Sequence, residues 1–157
     1  MEQTEIERKY LLDGMPEGWE SLESEAIAQG YIGFTDEGVE IRVRQRGAKY
    51  YQTLKSGSAR ERRELELDIT QEQFEALWAW TGGKRLRKTR FYMPFGESTI
   101  EIDRYEEGLD GLVVAEVEFP SLQAADAFVP PAWFGREITE EANFRNRELA
   151  MRGYKLE

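Results

Sequence analysis

Apolar and charged residues alternate along most of this chain. Ile41 and Val43 sit between Glu40, Arg42 and Arg44; Leu65, Leu67 and Ile69 between Glu64, Glu66 and Asp68; Ile100 and Ile102 beside Glu101 and Asp103; Ala115, Val117 and Phe119 beside Glu116 and Glu118. Successive strand side chains point to opposite faces, and residues i and i+2 share a face about 7 Å apart. By the same parity Glu5, Glu7 and Lys9 fall together, as do Tyr51, Thr53 and Lys55, and Lys88 with Arg90. Glycine-containing breaks at Asp36-Glu37-Gly38, Arg46-Gly47, Lys55-Ser56-Gly57-Ser58, Phe95-Gly96-Glu97 and Glu107-Gly108 separate these short segments. The pattern predicts a run of antiparallel strands.

Three stretches follow a helical period instead. Thr70-Gln71-Glu72-Gln73 has the form of a capping box, followed by Phe74, Leu77 and Trp78 on one face and stopped by Gly82-Gly83. A short helix is expected from Ser121 to about Phe128, before Pro130-Pro131. A third is expected from a Thr139 cap through Asn143 to about Ala150, with Ala142, Asn146 and Leu149 at helical spacing. Nothing divides residues 1–157 into more than one domain: there is no internal repeat, linker or low-complexity tract.

Composition narrows the chemistry. The 157 residues include no Cys and no His, which removes disulfides, thiolate zinc sites, histidine bases and the usual serine triad. Catalysis must therefore rest on carboxylates, amines, guanidiniums, hydroxyls or a bound metal. With 21 Lys and Arg against 31 Asp and Glu the net charge is -10, which argues against nucleic acid and anionic membranes as partners. No apolar run approaches the roughly 18 residues of a spanning helix, and the leading MEQTEIERK has no apolar core of a signal peptide. A soluble, cytoplasmic protein is expected.

One reading of the alternation is a sheet with its charged face in water. Two features count against it. The charged-face positions are almost all ionic, with little Ser, Asn or Gln, and like-charged carboxylate pairs at i and i+2 recur on several segments, which is unfavourable unless cations join them. Cationic segments also interleave with anionic ones along the chain. Closing about eight such strands with the ionic faces inward would create a charged tunnel, leaving the apolar faces for flanking helices or for a second copy of the chain in a homodimer. Carboxylates without histidine or thiolate suit Mg2+ or Mn2+, and clustered Arg and Lys suit phosphate oxygens. A metal-polyphosphate complex would satisfy both sets.

Glu5-Ile6-Glu7-Arg8-Lys9 is an ExExK motif. It is followed in order by Arg42-x-Arg44, Thr53-Leu54-Lys55, Glu64-x-Glu66, Lys88-x-Arg90, Glu101-x-Asp103, Glu116-x-Glu118 and Glu137-Ile138-Thr139 with Asn146 and Leu149. In this order the chain resembles the CYTH superfamily, the triphosphate tunnel metalloenzymes, over essentially its whole length, and within it the bacterial inorganic triphosphatase branch.

The resemblance implies a mainly β (α+β) fold: an eight-stranded antiparallel closed β-barrel with flanking helices and a C-terminal helix closing one end. It implies phosphate ligands at Lys9, Arg42, Arg44, Lys55, Lys88 and Arg90, and metal-side carboxylates at Glu5, Glu7, Glu64, Glu66, Asp103, Glu116 and Glu118, for Mg2+ or Mn2+. Lys9 with Tyr31 is the implied water-activating pair, although free tyrosine ionises near pH 10 and Tyr31 also reads as a lining aromatic. Glu101 shares the parity without a firm role. Arg46 and Arg62 share it too, but lie near turns and read as solvated charges. Trp78, Trp80, Trp133 and Phe134 read as core or interface residues. The implied activity is metal-dependent hydrolysis of inorganic triphosphate to pyrophosphate and phosphate. Alternatives are a thiamine triphosphatase, an adenylate cyclase of the same superfamily, disfavoured by the absence of histidine, and a non-catalytic polyphosphate-binding module.

Overall fold

The structure, a computed structural model, describes residues 2–153. Its strands are β1 (Glu2–Leu11), β2 (Glu23–Phe34), β3 (Glu40–Arg46), β4 (Lys49–Gly57), β5 (Glu61–Ile69), β6 (Arg85–Phe95), β7 (Ser98–Glu106) and β8 (Val113–Phe119). They close into an antiparallel barrel in the order β1-β5-β4-β3-β2-β6-β7-β8.

Register explains why the ionic faces all turn inward. Lys9 pairs with Glu116 and Glu7 with Glu118, Arg42 with Thr53, Lys55 with Glu64, Arg90 with Asp103, and Glu101 with Glu116. Each inward residue thus meets another inward residue, and a slip of one position would send an entire charged set outside. The apolar faces lie outward and are covered. Over β6, β7 and β8, Phe91, Ile100, Ile102, Ala115 and Val117 pack under Met15, Trp19 and Leu22 from the segment after β1, and under Phe128 and Phe134 from the segment after β8. Ile100, Ile102 and Val117 are fully buried there, each contributing about 1.5–3 kcal/mol of transfer free energy.

Seven of the eight strands contain the segments predicted from the alternation. The eighth, β2, carries the sequence ESEAIAQGYIGF, whose small outward residues hide the period. The helix α1 (Gln71–Trp78) and the turn after it explain Gly30: a Cβ there would stand 2.7 Å from the Thr81 Cγ2 and 3.0 Å from the Trp78 ring. The α1 capping box forms as expected, with the Thr70 hydroxyl accepting from the Gln73 N–H and the Gln73 side chain accepting from the Thr70 N–H. The second predicted helix is α2 (Leu122–Ala127), capped by Ser121.

The C-terminal helix begins later than Thr139. Residues 135–139 run beside β1 instead: the Gly135 N–H donates to the Leu11 carbonyl (2.8 Å), the Leu11 N–H to Arg136 (2.9 Å), and the Ile138 N–H to Lys9 (2.9 Å). The Thr139 hydroxyl accepts from the Lys9 N–H and donates to Glu137, so it is not free to cap a helix. A short 3-10 turn, Ala142–Phe144, precedes α3 (Asn146–Arg152). This C-terminal segment closes one end of the barrel with an apolar plug, in which Ile138, Phe144 and Leu149 pack against Tyr31, Leu86, Tyr105 and Val114 of the wall. No helix among the described residues is long and apolar enough to cross a membrane.

Candidate active site

Inside the barrel, beyond the plug, lies a cavity of about 260 Å3. One wall is cationic. β3 contributes Arg42 and Arg44, β4 Lys55, and β6 Lys88 and Arg90, all at most 8 % exposed. Their side chains are held by carboxylates from the neighbouring strand or from the next one beyond it. Arg42 lies 3.7 Å from Glu64, Lys55 3.7 Å from Glu64 and 2.9 Å from Glu5, Arg44 3.3 Å from Glu66, and Arg90 2.6 Å from Glu101. Burial, with Arg42 and Arg90 close by, pulls the Arg44 guanidinium down to about 10. Crowding of like charges on this wall is therefore only partly relieved by the protein's own anions.

The opposite wall, β1 and β8, is acidic. One carboxylate oxygen from each of Glu5, Glu7 and Glu118 lies within 4.8 Å of the others. Burial, then the neighbouring Glu116, raises the Glu7 carboxyl from its usual 4.5 to about 8. Burial raises Glu118 to about 7, with Glu116, Glu101 and Glu5 adding to the effect. Burial would raise Glu116 as well, but Glu7, Lys9, Arg90 and Lys55 beside it hold it well below the usual carboxylate range. The two carboxyls of this pair are thus pushed in opposite directions, Glu7 up and Glu116 down.

Buried polar atoms normally find partners. Here the Glu7 Oε2 and the Nε atoms of Arg42 and Arg44 are buried without a hydrogen-bond partner. An acceptor is left over on the acidic wall and donors are left over on the basic wall. The acidic wall fits a divalent cation: its oxygen-only donor set is the kind that hard cations take, and a cation there would allow the crowded carboxylates to ionise.

Of the residues singled out from sequence, Lys9, Tyr31, Arg42, Arg44, Lys55, Lys88, Arg90, Glu5, Glu7, Glu64, Glu66, Glu116 and Glu118 all line this cavity. Asp103 does not. Its two oxygens accept from Arg90 Nε (2.8 Å), Arg90 Nη2 (3.0 Å) and Lys88 Nζ (2.7 Å). Burial alone would raise its carboxyl, but Arg90 and Lys88 hold it down to about 2. Glu101, without a firm role in the sequence, lines the cavity and pairs with Arg90.

Tyr31 is 1 % exposed, and its oxygen accepts from the Gln29 side chain at 3.1 Å. Burial raises its phenol above the usual value, which keeps the proton on. Arg46 and Arg62 also line the cavity, correcting their reading as solvated charges. Strand parity carries both inward: Arg62 pairs with the buried Glu40 at 3.1 Å, and Arg46 with Glu25 at 3.6 Å. Glu40 itself, Gln3, Arg145 and Arg147 are lining residues that the sequence reading did not select. Parity could have found Glu40. Arg145 and Arg147 arrive with the C-terminal segment, where no strand pattern marks them.

Comparison with known proteins fits this geometry. The CYTH domain profile matches residues 3–154. The chain belongs to the CYTH domain family. Within the family it is 43% identical over 150 residues to a Nitrosomonas europaea inorganic triphosphatase, covering 94% of this chain and 97% of that protein. It is 33% identical over 154 residues to an Acetivibrio thermocellus inorganic triphosphatase, covering 96% of each. A crystal structure of an inorganic triphosphatase superposes with a TM-score of 0.70 at 40% identity, covering 94% of both chains. The eight-stranded barrel is thus the CYTH tunnel fold.

Proposed function

We propose that this CYTH protein hydrolyses inorganic triphosphate to pyrophosphate and orthophosphate, with Mg2+ or Mn2+ held on the acidic wall. The observation that carries the reading is the confrontation of two incomplete walls in one cavity: unpartnered guanidinium donors face carboxylates too crowded to ionise together. A linear triphosphate supplies oxygens to the first, and its accompanying cation supplies positive charge to the second. Similarity to two inorganic triphosphatases over nearly the whole chain supports the same conclusion.

Roles follow from position. Lys9, Arg42, Arg44, Lys55, Lys88 and Arg90 bind phosphate oxygens, the guanidiniums by paired N–H donors whose planar geometry matches them. Glu5, Glu7 and Glu118 would hold the cation, with Glu116, Glu64 and Glu66 beside them. When bound, the cation draws charge from the phosphate oxygens and lowers the pKa of the attacking water. Water oxygen bonds to a terminal phosphorus, the bridging P–O bond breaks with its electron pair leaving on pyrophosphate, and the proton that the water loses is taken up by the product phosphate oxygens. Arginine and lysine stabilise charge on the transferred group and on the leaving pyrophosphate, so positioning and electrostatics carry most of the acceleration.

Tyr31, with Gln29 donating to its oxygen and its phenol protonated, offers its O–H to a phosphate oxygen beside Lys9. Asp103 takes a different part from the metal-side role that the resemblance implied: it aims Lys88 and Arg90 at the substrate.

The test is phosphate release by the purified chain from tripolyphosphate, ATP, thiamine triphosphate and pyrophosphate, each with Mg2+ or Mn2+. A specificity constant for tripolyphosphate well above the other three is expected. Comparable constants for ATP or thiamine triphosphate would replace the proposal with an organic triphosphatase, and binding without turnover would leave a polyphosphate-binding module.

A further inference from the structure

We infer that Glu40 is an internal counter-anion that occupies Arg62 and Arg147 until a phosphate group displaces it, so that it sets the affinity of the tunnel for substrate and product. The inference rests on the triphosphatase reading and extends it to residues outside the motif set.

Glu40 opens β3 and is only 2 % exposed, yet it lines the cavity. Its register partner is Lys55, and Arg42 is two residues along the same face. Its Oε1 lies 3.1 Å from Arg62 Nη2 on β5 and 3.8 Å from the Nε of Arg147 on α3, and that Nε also has Glu148 of its own helix at 3.9 Å. The other carboxylates of the cavity crowd one another or aim a phosphate-binding cation; this one draws together arginines from two separate elements. The Nε atoms of Arg62 and Arg147 are buried with no hydrogen bond, so the carboxylate neutralises the two arginines without filling their donors.

A phosphate group has more oxygens and more charge than a carboxylate and would use those donors better. Binding the end of a polyphosphate chain here therefore means exchanging Glu40 for phosphate on Arg62 and Arg147. The exchange has two consequences. Affinity is lowered by the competition, for pyrophosphate product as for substrate, which favours release. And because Arg147 belongs to the segment that plugs the barrel, its tie moves from the wall to the bound anion while phosphate is present.

The test uses the full chain with its divalent cation, measuring KM for tripolyphosphate and the inhibition constant of pyrophosphate. Glu40→Gln removes the competing charge and is expected to lower both by about threefold or more without raising kcat, a split that a damaged site would not produce. Arg147→Ala is expected to raise the pyrophosphate constant, and Glu40→Gln is expected to have a smaller effect when combined with it. Unchanged or raised constants for Glu40→Gln would overturn the inference. If Glu40→Gln fails to fold, Arg147→Ala decides alone, and an unchanged pyrophosphate constant overturns it. Turnover of tripolyphosphate by the unaltered chain is measured first. Its absence sinks the triphosphatase reading, whereas turnover with the wrong shift in the variants sinks only the role of Glu40.

Discussion

Two parts of the barrel interior bury charge in opposite ways. Between β6 and β7, Asp103 is matched in full by Lys88 and Arg90, and its carboxyl is held down to about 2 although burial alone would raise it. Between β1 and β8, burial and carboxylates packed against one another push Glu7 up to about 8 and Glu118 to about 7. In the first arrangement every oxygen of the anion has a donor without a ligand, although burial still pulls the Lys88 ammonium down to about 8. The second is incomplete, and only an added cation completes it. Buried ion pairs are weak evidence for stability, but satisfied ones fix geometry. The satisfied pairs in this barrel thus hold side chains in place, while the unsatisfied ones lie where the proposed hydrolysis would take place.

The largest effect is expected where the interior is least satisfied. Glu116→Gln should lower kcat for tripolyphosphate by about three orders of magnitude or more while the fold is kept, checked by phosphate release and circular dichroism. Wild-type rate with Mg2+ present would remove Glu116 from the acidic site.

Arg42→Ala or Arg44→Ala should each reduce kcat/KM by about 100-fold or more, with Lys restoring only part because it lacks the planar fork. The melting temperature should stay level or rise, since one of several crowded cations is gone. Near-normal kinetics in both alanine variants would defeat the tunnel reading.

Asp103→Asn sharpens the contrast between the two regions. As an aiming residue, it should lower kcat/KM by about 10- to 100-fold and leave the affinity for Mn2+ unchanged, read by calorimetric titration. A matching loss of Mn2+ affinity would make it a metal ligand after all.

A smaller effect concerns stability against pH in EDTA. Glu7 and Glu118 lie above their usual 4.5 in the folded chain, so the folded state holds more protons than the unfolded one between about pH 5 and 8. Stability must then fall as pH rises through that window. Asp103, held low, contributes stability that is lost only toward pH 2, and Lys88, pulled down to about 8 by burial, opposes the trend only at the top of the window. The melting temperature of the metal-free protein should fall from pH 5.5 to 8, and added Mn2+ should raise it more at pH 8. A flat profile would show that the β1–β8 carboxylates are not crowded.

The barrel was legible because strand parity and ionic alternation coincide: Glu64-x-Glu66 and Arg42-x-Arg44 cannot both face inward without closing the sheet around them. β2 was not legible, because Ala26, Ala28 and Gly30 are small and leave no period; of these, Gly30 is required by the close approach of the turn after α1. The start of α3 was misjudged because Thr139 has the side chain of a helix cap, but tertiary pairing with Lys9 claims its hydroxyl. In the site, residue type identified the charges but not their partners. Asp103 and Glu101 share one strand face and both reach Arg90, and the further tie of Asp103 to Lys88 is what separates the anchored carboxylate from the one at the cavity. Arg145 and Arg147 enter through a segment whose position follows from packing with Phe144 and Leu149, not from local pattern.

The central claim is that the acidic wall works only with a divalent cation and that triphosphate is cleaved at one end. The most direct measurement follows orthophosphate and pyrophosphate together as the EDTA-treated chain acts on tripolyphosphate, before and after Mg2+ or Mn2+ is restored. The expected result is no turnover in EDTA and, on adding the cation, one orthophosphate and one pyrophosphate for each triphosphate consumed. Full activity after exhaustive EDTA treatment would contradict the account.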